Sequence, residues 1–197
     1  MEGAGPEQRL IDAADVLMYE RGYEAVGVAD LCRMADVRKG SFYHFFPSKR
    51  ELALVMLDRS WRRAQSTLFA ASIDNPELSV FDGIDAYGRL LADNLRRNSP
   101  DGTAMLGCRF GNFAVELSVR DEEVRAKVDE ILTEMAQSLA ASVARGIAAG
   151  DVADDVDPDQ AALEVLAHME GLMVLAKSRR DPDLLQGLGR AARLLIR

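Results

Sequence analysis

The sequence predicts an all-α protein, an N-terminal three-helix helix-turn-helix domain followed by a larger helical domain. Three observations carry that expectation. Apolar residues recur at spacings of three and four through most of the 197 residues. Three later helices are expected to open on an acceptor followed by proline, at Asn75-Pro76, Asp157-Pro158 and Asp181-Pro182. An acceptor at the N-cap and proline at the first helical position is an efficient helix start. No stretch alternates with the period of a strand, and no internal repeat is visible.

The first helix is expected from about Pro6 to Arg21, with Leu10, Ile11, Ala14, Leu17 and Met18 on one face and Gly22 ending it. Val28 to Ala35 places Val28, Leu31, Cys32 and Ala35 on one face of a short second helix. Asp36-Val37 breaks the pattern, and a third short helix follows from about Arg38 to Phe45, stopped by Pro47. Ser48-Lys49-Arg50-Glu51 then spells a capping box, Ser48 accepting from the backbone of Glu51. Two short helices joined by a tight turn form a helix-turn-helix, whose second helix enters the DNA major groove by its N-terminal end.

The charge pattern agrees. Residues 33–50 hold Arg33, Arg38, Lys39, Lys49 and Arg50 against one acid, Asp36, in a chain of net charge −8. Interleaved with these cations are Gly40, Ser41, Phe42, Tyr43, His44, Phe45 and Phe46. A cationic island with hydroxyl and imidazole donors in an acidic protein is suited to phosphate contact. Gly40 has no Cβ and lets the backbone approach DNA closely. Lys39 can take a phosphate or a guanine edge, and Ser41 a phosphate or a base. Tyr43 and His44 suit phosphate contacts that fix register. Lys49, in the first turn of the next helix, can face an anion together with free backbone N–H groups. Phe42, Phe45 and Phe46 are expected in the core.

The fourth helix is expected from Lys49 to about Ala71. Beyond it, Val80, Phe81, Ile84, Tyr87 and Leu91 form one apolar stripe, and Val124, Val128, Ile131, Met135 and Leu139 another, in a helix ending at Gly150. The helix from Pro158 to Lys177 differs: between Ala161 and Ala176 its only polar side chains are Glu164, His168 and Glu170. A helix apolar nearly all round is buried on more than one side. Its simplest partners are its own domain and a second subunit. Leu184, Leu188, Ala191, Ala192 and Leu195 offer a matching stripe in the last helix.

At 48% hydrophobic the chain can build a substantial core. No run of 18 apolar residues and no signal peptide before Arg9 is evident, so a cytoplasmic protein without membrane contact is expected. Cys32 and Cys108, the only cysteines, are expected as reduced thiols in different helices. Residues 61–197 hold 16 basic and 22 acidic side chains, which disfavours non-specific coating of nucleic acid.

The strings Val28-Ala29-Asp30-Leu31 to Ala35, Lys39-Gly40-Ser41-Phe42-Tyr43-His44-Phe45 and Ser48-Lys49-Arg50-Glu51-Leu52 resemble the tetracycline-repressor (TetR) family of bacterial transcription regulators. The resemblance covers roughly residues 8 to 56 closely and the remainder by helix layout. It implies a DNA-binding domain at 1–50 and a ligand-binding and dimerisation domain at 51–197. It further implies a homodimer through the helices at about 158–177 and 182–197, reading a pseudo-palindromic double-stranded operator. Arg38, Lys39, Gly40, Ser41, Tyr43, His44 and Lys49 fall at or beside its DNA contacts. Two departures stand out: Gly27 and Arg38 replace the Ser or Thr that usually caps each short helix, and Asp36 replaces a turn glycine. Either Asp36 caps the third helix, or Arg38 itself contacts DNA.

Gly107-Cys108-Arg109-Phe110-Gly111-Asn112-Phe113 resembles a G-C-x-x-G-N stretch of family branches that sense reactive electrophiles or unsaturated carboxylates. A neighbouring cation activates a thiolate, and Arg109 is adjacent; the other reading of Cys108 is a small buried apolar residue. Trp61, Tyr87, Phe113 and Met169 can line an apolar pocket, with Arg109, Asn112 or His168 as polar anchors. No cofactor is called for, and two histidines without a His/Cys cluster give no metal site. Gly187-Leu188-Gly189 lacks the preceding strand of a dinucleotide fold. Asp155, Asp157 and Asp159 lack the glycine and glutamate of a calcium loop. No catalytic constellation is present. The expected function is therefore a ligand-responsive repressor released by a small-molecule or electrophile inducer. An activator or multi-target regulator on the same scaffold, or a helical interaction module without DNA contact, is the alternative.

Overall fold

The computed structural model describes residues 5–98 and 105–196. Among them the chain is helical, without a strand: α1 (Pro6–Arg21), α2 (Val28–Ala35), α3 (Lys39–Phe45), α4 (Lys49–Ala64), α5 (Val80–Arg97), α6 (Arg109–Leu117), α7 (Glu122–Ala149), α8 (Pro158–Arg179) and α9 (Leu188–Leu195). The all-α class and the helix-turn-helix stand as expected. The chain forms two compact units, Met1–Arg62 with Arg109–Ile131, and Arg63–Cys108 with Leu132–Arg197.

The first unit is built on α1–α3. Leu10, Ala14 and Met18 of α1, Leu31 and Ala35 of α2 and Phe42 of α3 are all buried, Phe42 fully. Full burial of a phenylalanine contributes roughly 2–3 kcal/mol, and here it seats α3 with its opposite face outward. Asp36 ends α2 in the left-handed conformation at φ 51°, which aspartate tolerates better than most residues. Arg9 donates through Nε to the Ala35 carbonyl (2.8 Å), placing a cation at the C-terminal end of α2. Ser48 accepts from the Glu51 N–H (3.1 Å), as the capping box requires.

The second unit packs α5 against α9 at close range. The Gly189 N–H donates to Asp85 Oδ1 (3.0 Å), and a Cβ on Gly189 would collide with the Phe81 carbonyl. Gly88 of α5 faces the Leu185 carbonyl in the same way. Phe69, Ile84, Tyr87, Leu139, Met169 and Met173 fill the interior. Asp157 caps α8, accepting from the N–H groups of Asp159 (2.9 Å) and Gln160 (3.2 Å).

Three helix boundaries differ from expectation. The fourth helix does not continue regularly to Ala71: α-helical bonding ends at Ala64, and a π-helical turn spans Gln65–Phe69. The hydroxyls of Ser66 and Thr67 both donate to the Arg63 carbonyl (3.1 and 2.7 Å), competing with the backbone ladder there. Asn75-Pro76 opens a turn, in which Asn75 Oδ1 accepts from the Glu77 N–H (3.0 Å). The helix starts only at Val80, because Ser79 accepts from the Asp82 N–H (3.2 Å) and donates to its carboxylate (2.7 Å). Asp181-Pro182 opens a 3₁₀ turn, Pro182–Leu185, and Gly187 at φ 80° separates it from α9.

Candidate functional site

The outward face of α3 is made by its neighbours in sequence to Phe42. Burying Phe42 turns Lys39, Gly40, Tyr43 and His44 to solvent, together with Ser41 and the preceding Arg38, all exposed. Tyr43 is 52% exposed, an unusual position for a ring this large. It packs edge-on against Phe42 at 5.2 Å, which holds its phenol outward. At the N-cap Arg38 makes no side-chain cap bond, and Asp36 serves as the C-cap of α2. The first turn of α3 therefore keeps N–H groups open beside two exposed cations, and among the described residues neither Arg38 nor Lys39 forms an ion pair.

Gly40 is informative. A Cβ built there would meet nothing within 4 Å, so packing inside the protein does not demand glycine. Its presence in a helix costs up to about 1 kcal/mol relative to alanine.

The other three cations of the island have internal partners. Arg33 pairs with Asp30 one turn earlier. Arg50 reaches Glu123 (3.1 Å) and Asp121 (3.9 Å) at the start of α7. Lys49 donates to the carbonyls of Tyr23 (3.0 Å) and Val26 (3.1 Å), and its ammonium lies 3.9 Å from the centre of the Tyr23 ring. Two of its three N–H bonds are committed there, leaving one for an anion.

The residues expected around a ligand divide between the two units. In the first, Arg109 pairs with Asp15 (2.8 Å), donates to the Asp15 carbonyl (2.7 Å) and lies 4.1 Å over the Tyr19 ring. Its guanidinium ties α6 to α1. Trp61 stacks edge-on with Phe110 (6.1 Å) and Phe113 with Tyr23 (6.2 Å), and Asn112 is half-buried on α6. Glu116, not anticipated from sequence, accepts from the N–H groups of Tyr23 (3.0 Å) and Glu24 (2.8 Å) in the α1–α2 loop.

The second unit also holds Tyr87, Cys108 and Glu170, with Met169 buried and His168 half-buried on α8. The Cys108 thiol hydrogen-bonds the Glu170 carboxyl. Burial raises the pKa of Glu170 above the usual carboxylate range, and that hydrogen bond opposes the rise. Burial, with the charges of Cys108 and Glu170, holds the Tyr87 phenol neutral. Glu170 escaped the list of expected ligand residues; a carboxylate in an almost wholly apolar helix was the available signal. Cys32 is buried, and burial raises its pKa, against the opposing charge of Lys39. No metal-binding group of His, Cys, Asp and Glu occurs among the described residues, and no helix there is long and apolar enough to cross a membrane.

Residues 10–56 match the family model for bacterial regulatory proteins of the tetR family, and residues 89–192 that for the tetracyclin repressor-like C-terminal domain. The transcriptional regulator AcuR of Cereibacter sphaeroides is 28% identical over 187 residues, covering 93% of this chain and 81% of that protein. The HTH-type transcriptional repressor NemR of Escherichia coli K12 is 28% identical over 123 residues, covering 62% of this chain and 59% of that one. The crystal structure of regulatory protein TetR from Rhodobacter sphaeroides has a TM-score of 0.84 at 26% identity, covering 96% of this chain and 98% of that one.

Proposed function

The chain belongs to the TetR family of bacterial transcription regulators, and from that premise we propose that it is a cytoplasmic repressor. As a homodimer it holds a pseudo-palindromic operator and releases it when a small molecule or electrophile engages its C-terminal domain. The observation that carries the reading is the exposed face of α3, Arg38 to His44, with Gly40 bare where the protein itself leaves room for a side chain. Lys39, Ser41 and the backbone at Gly40 meet the major groove, Arg38, Tyr43 and His44 the phosphates beside it, and Lys49 supplies one remaining N–H.

Residues 1–50 are assigned to DNA and 51–197 to ligand binding and dimerisation. Dimerisation through α8 and α9 is supported by the outer face of α8: Leu163, Val174 and Leu175 are 56%, 66% and 44% exposed, with Gly171 between them facing open space. Leu194 of α9, 62% exposed, extends the apolar surface. Two recognition helices related by a twofold axis read two half-sites about one helical turn apart.

Cys108 is assigned as the sensing thiol. It directly precedes α6, which Arg109 fastens to α1 and Glu116 to the α1–α2 loop. A change at Cys108 therefore enters a helix anchored to the DNA-binding elements, and an inducer needs only a few kcal/mol of preference for the released state.

The test is fluorescence anisotropy on a duplex from upstream of the protein's own gene, with wild type and Cys108→Ser, before and after a mild thiol-reactive electrophile. Release of wild type alone is the expected result. Release of both, or of neither, removes Cys108 from the mechanism.

A further inference from the structure

Within the Arg33–Arg50 island, Arg50 is the cation that faces several acids at once. Its side chain is 40% exposed and lies 3.1 Å from Glu123, 3.9 Å from Asp121 and 3.9 Å from its neighbour Glu51. The two longer approaches are beyond hydrogen-bond range. Its Nε is buried and donates to no acceptor among the described residues. A guanidinium carries five N–H groups in a planar fork that suits a phosphate through two parallel bonds. Here only the corner at Nη2 has a close acceptor, Glu123. Next to it in sequence Lys49 has one N–H left for an anion, so the start of α4 holds two cations with unspent donors.

The acids facing Arg50 are not equivalent. Asp121 caps α7, its Oδ1 accepting from the N–H groups of Glu123 and Val124 (both 3.2 Å), and only Oδ2 turns to Arg50. Glu123 is 54% exposed, and among the described residues its carboxylate pairs with Arg50 alone. An acid in the first turn of a helix is favoured by the helix dipole, which accounts for Glu123 but not for the arginine turned toward it. A half-exposed ion pair of this kind is weak in water. A phosphate that offers two oxygens to the fork therefore competes well for the same guanidinium. Arg50, Asp121 and Glu123 all belong to the first compact unit.

We propose that Arg50 is a further phosphate contact to the operator, held off DNA in the free protein by Glu123 and, less closely, by Asp121. This deepens the DNA-binding reading and rests on it. On binding, the guanidinium exchanges a carboxylate for a phosphate diester, and the broken pair subtracts from the affinity. The opposite arrangement is a shield, in which Arg50 only neutralises the α7 acids so that DNA does not meet them. The sign of the coupling separates the two. A contact held in reserve makes any gain from Glu123→Gln depend on Arg50. A shield makes that gain larger once Arg50 is gone.

The test is a double-mutant cycle on the full-length protein: wild type, Arg50→Ala, Glu123→Gln and the double variant, each titrated by anisotropy on the upstream duplex at one low salt concentration. Glu123→Gln should bind about threefold more tightly than wild type. Arg50→Ala should cost about threefold in the wild-type background and roughly tenfold in the Glu123→Gln background, so that the double variant binds no better than Arg50→Ala. Equal losses from Arg50→Ala in the two backgrounds, or a larger gain from Glu123→Gln without Arg50, would overturn the proposal and leave the α3 contacts standing. A wild type whose duplex binding does not respond to salt would instead remove the DNA-binding reading, and this contact with it.

Discussion

Replacing Gly40 by alanine should strengthen the fold and weaken DNA binding at once. In the structure Gly40 lies in the first turn of α3, and an added Cβ meets nothing within 4 Å. No packing penalty is therefore expected, and the gain in helix propensity sets the sign. A full helix-interior substitution is worth about 1 kcal/mol; in a first turn of a seven-residue helix about half of that is reasonable. The stabilisation of about 0.5 kcal/mol is readable as a higher urea midpoint at constant slope. On the DNA side the methyl stands on the face between Lys39 and Ser41 and holds the backbone away from the groove. Losing two or three short contacts at about 1 kcal/mol each predicts a fall in operator affinity of roughly 30-fold or more. Paired urea unfolding and anisotropy titrations would decide it. A destabilised Gly40→Ala variant, or one that binds the operator as tightly as wild type, would refute the reasoning that this glycine is kept for DNA.

Other substitutions separate structural from functional roles. Glu116→Ala removes two charge-assisted bonds to the Tyr23 and Glu24 N–H groups; at about 2 kcal/mol in total, those two amides should exchange hydrogen roughly 30-fold faster, and unchanged protection would show the carboxylate idle. Gly189→Ala forces a methyl onto the Phe81 carbonyl and should cost about 1–3 kcal/mol in urea unfolding, with operator contacts untouched if α9 acts only in packing and assembly. Glu170 has a folded pKa raised above the usual 4.5 by burial. Its contribution to stability is complete below that usual value and is lost as pH rises through the raised one. Thermal unfolding of wild type should therefore weaken relative to Glu170→Gln across that window, and parallel pH profiles would contradict the burial argument.

Local signals were readable wherever one short segment decides the outcome. The α1 and α2 boundaries follow from apolar period, Gly22 and the Asp36 turn, and the Asp157-Pro158 start of α8 is local chemistry confined to three residues. The π turn at Gln65–Phe69 was not legible, because Ser66 and Thr67 become competitors for a carbonyl only once the helix exists. At Asn75-Pro76 the acceptor and proline signalled a turn as strongly as a helix, and Ser79 with Asp82 offered the better cap. Side-chain roles were harder. The exposed face of α3 follows once Phe42 is taken as its buried residue, so Arg38 to His44 could be named from sequence. Lys49 and Arg109 are cations whose partners lie 26 and 94 residues away, and sequence proximity to Ser48 or Cys108 says nothing about such partners. Glu170 was visible as an oddity on α8, but its hydrogen bond to Cys108 depends on tertiary packing.

The central claim, that the α3 face binds duplex DNA through phosphates, is tested most directly by the salt dependence of binding to the upstream duplex. Wild type, Lys39→Ala and Tyr43→Phe should be titrated from low to high salt. Wild type should lose affinity steeply with salt, Lys39→Ala should show a logarithmic slope smaller by about 0.9, and Tyr43→Phe should bind uniformly more weakly. Salt-insensitive binding, or three indistinguishable curves, would contradict it.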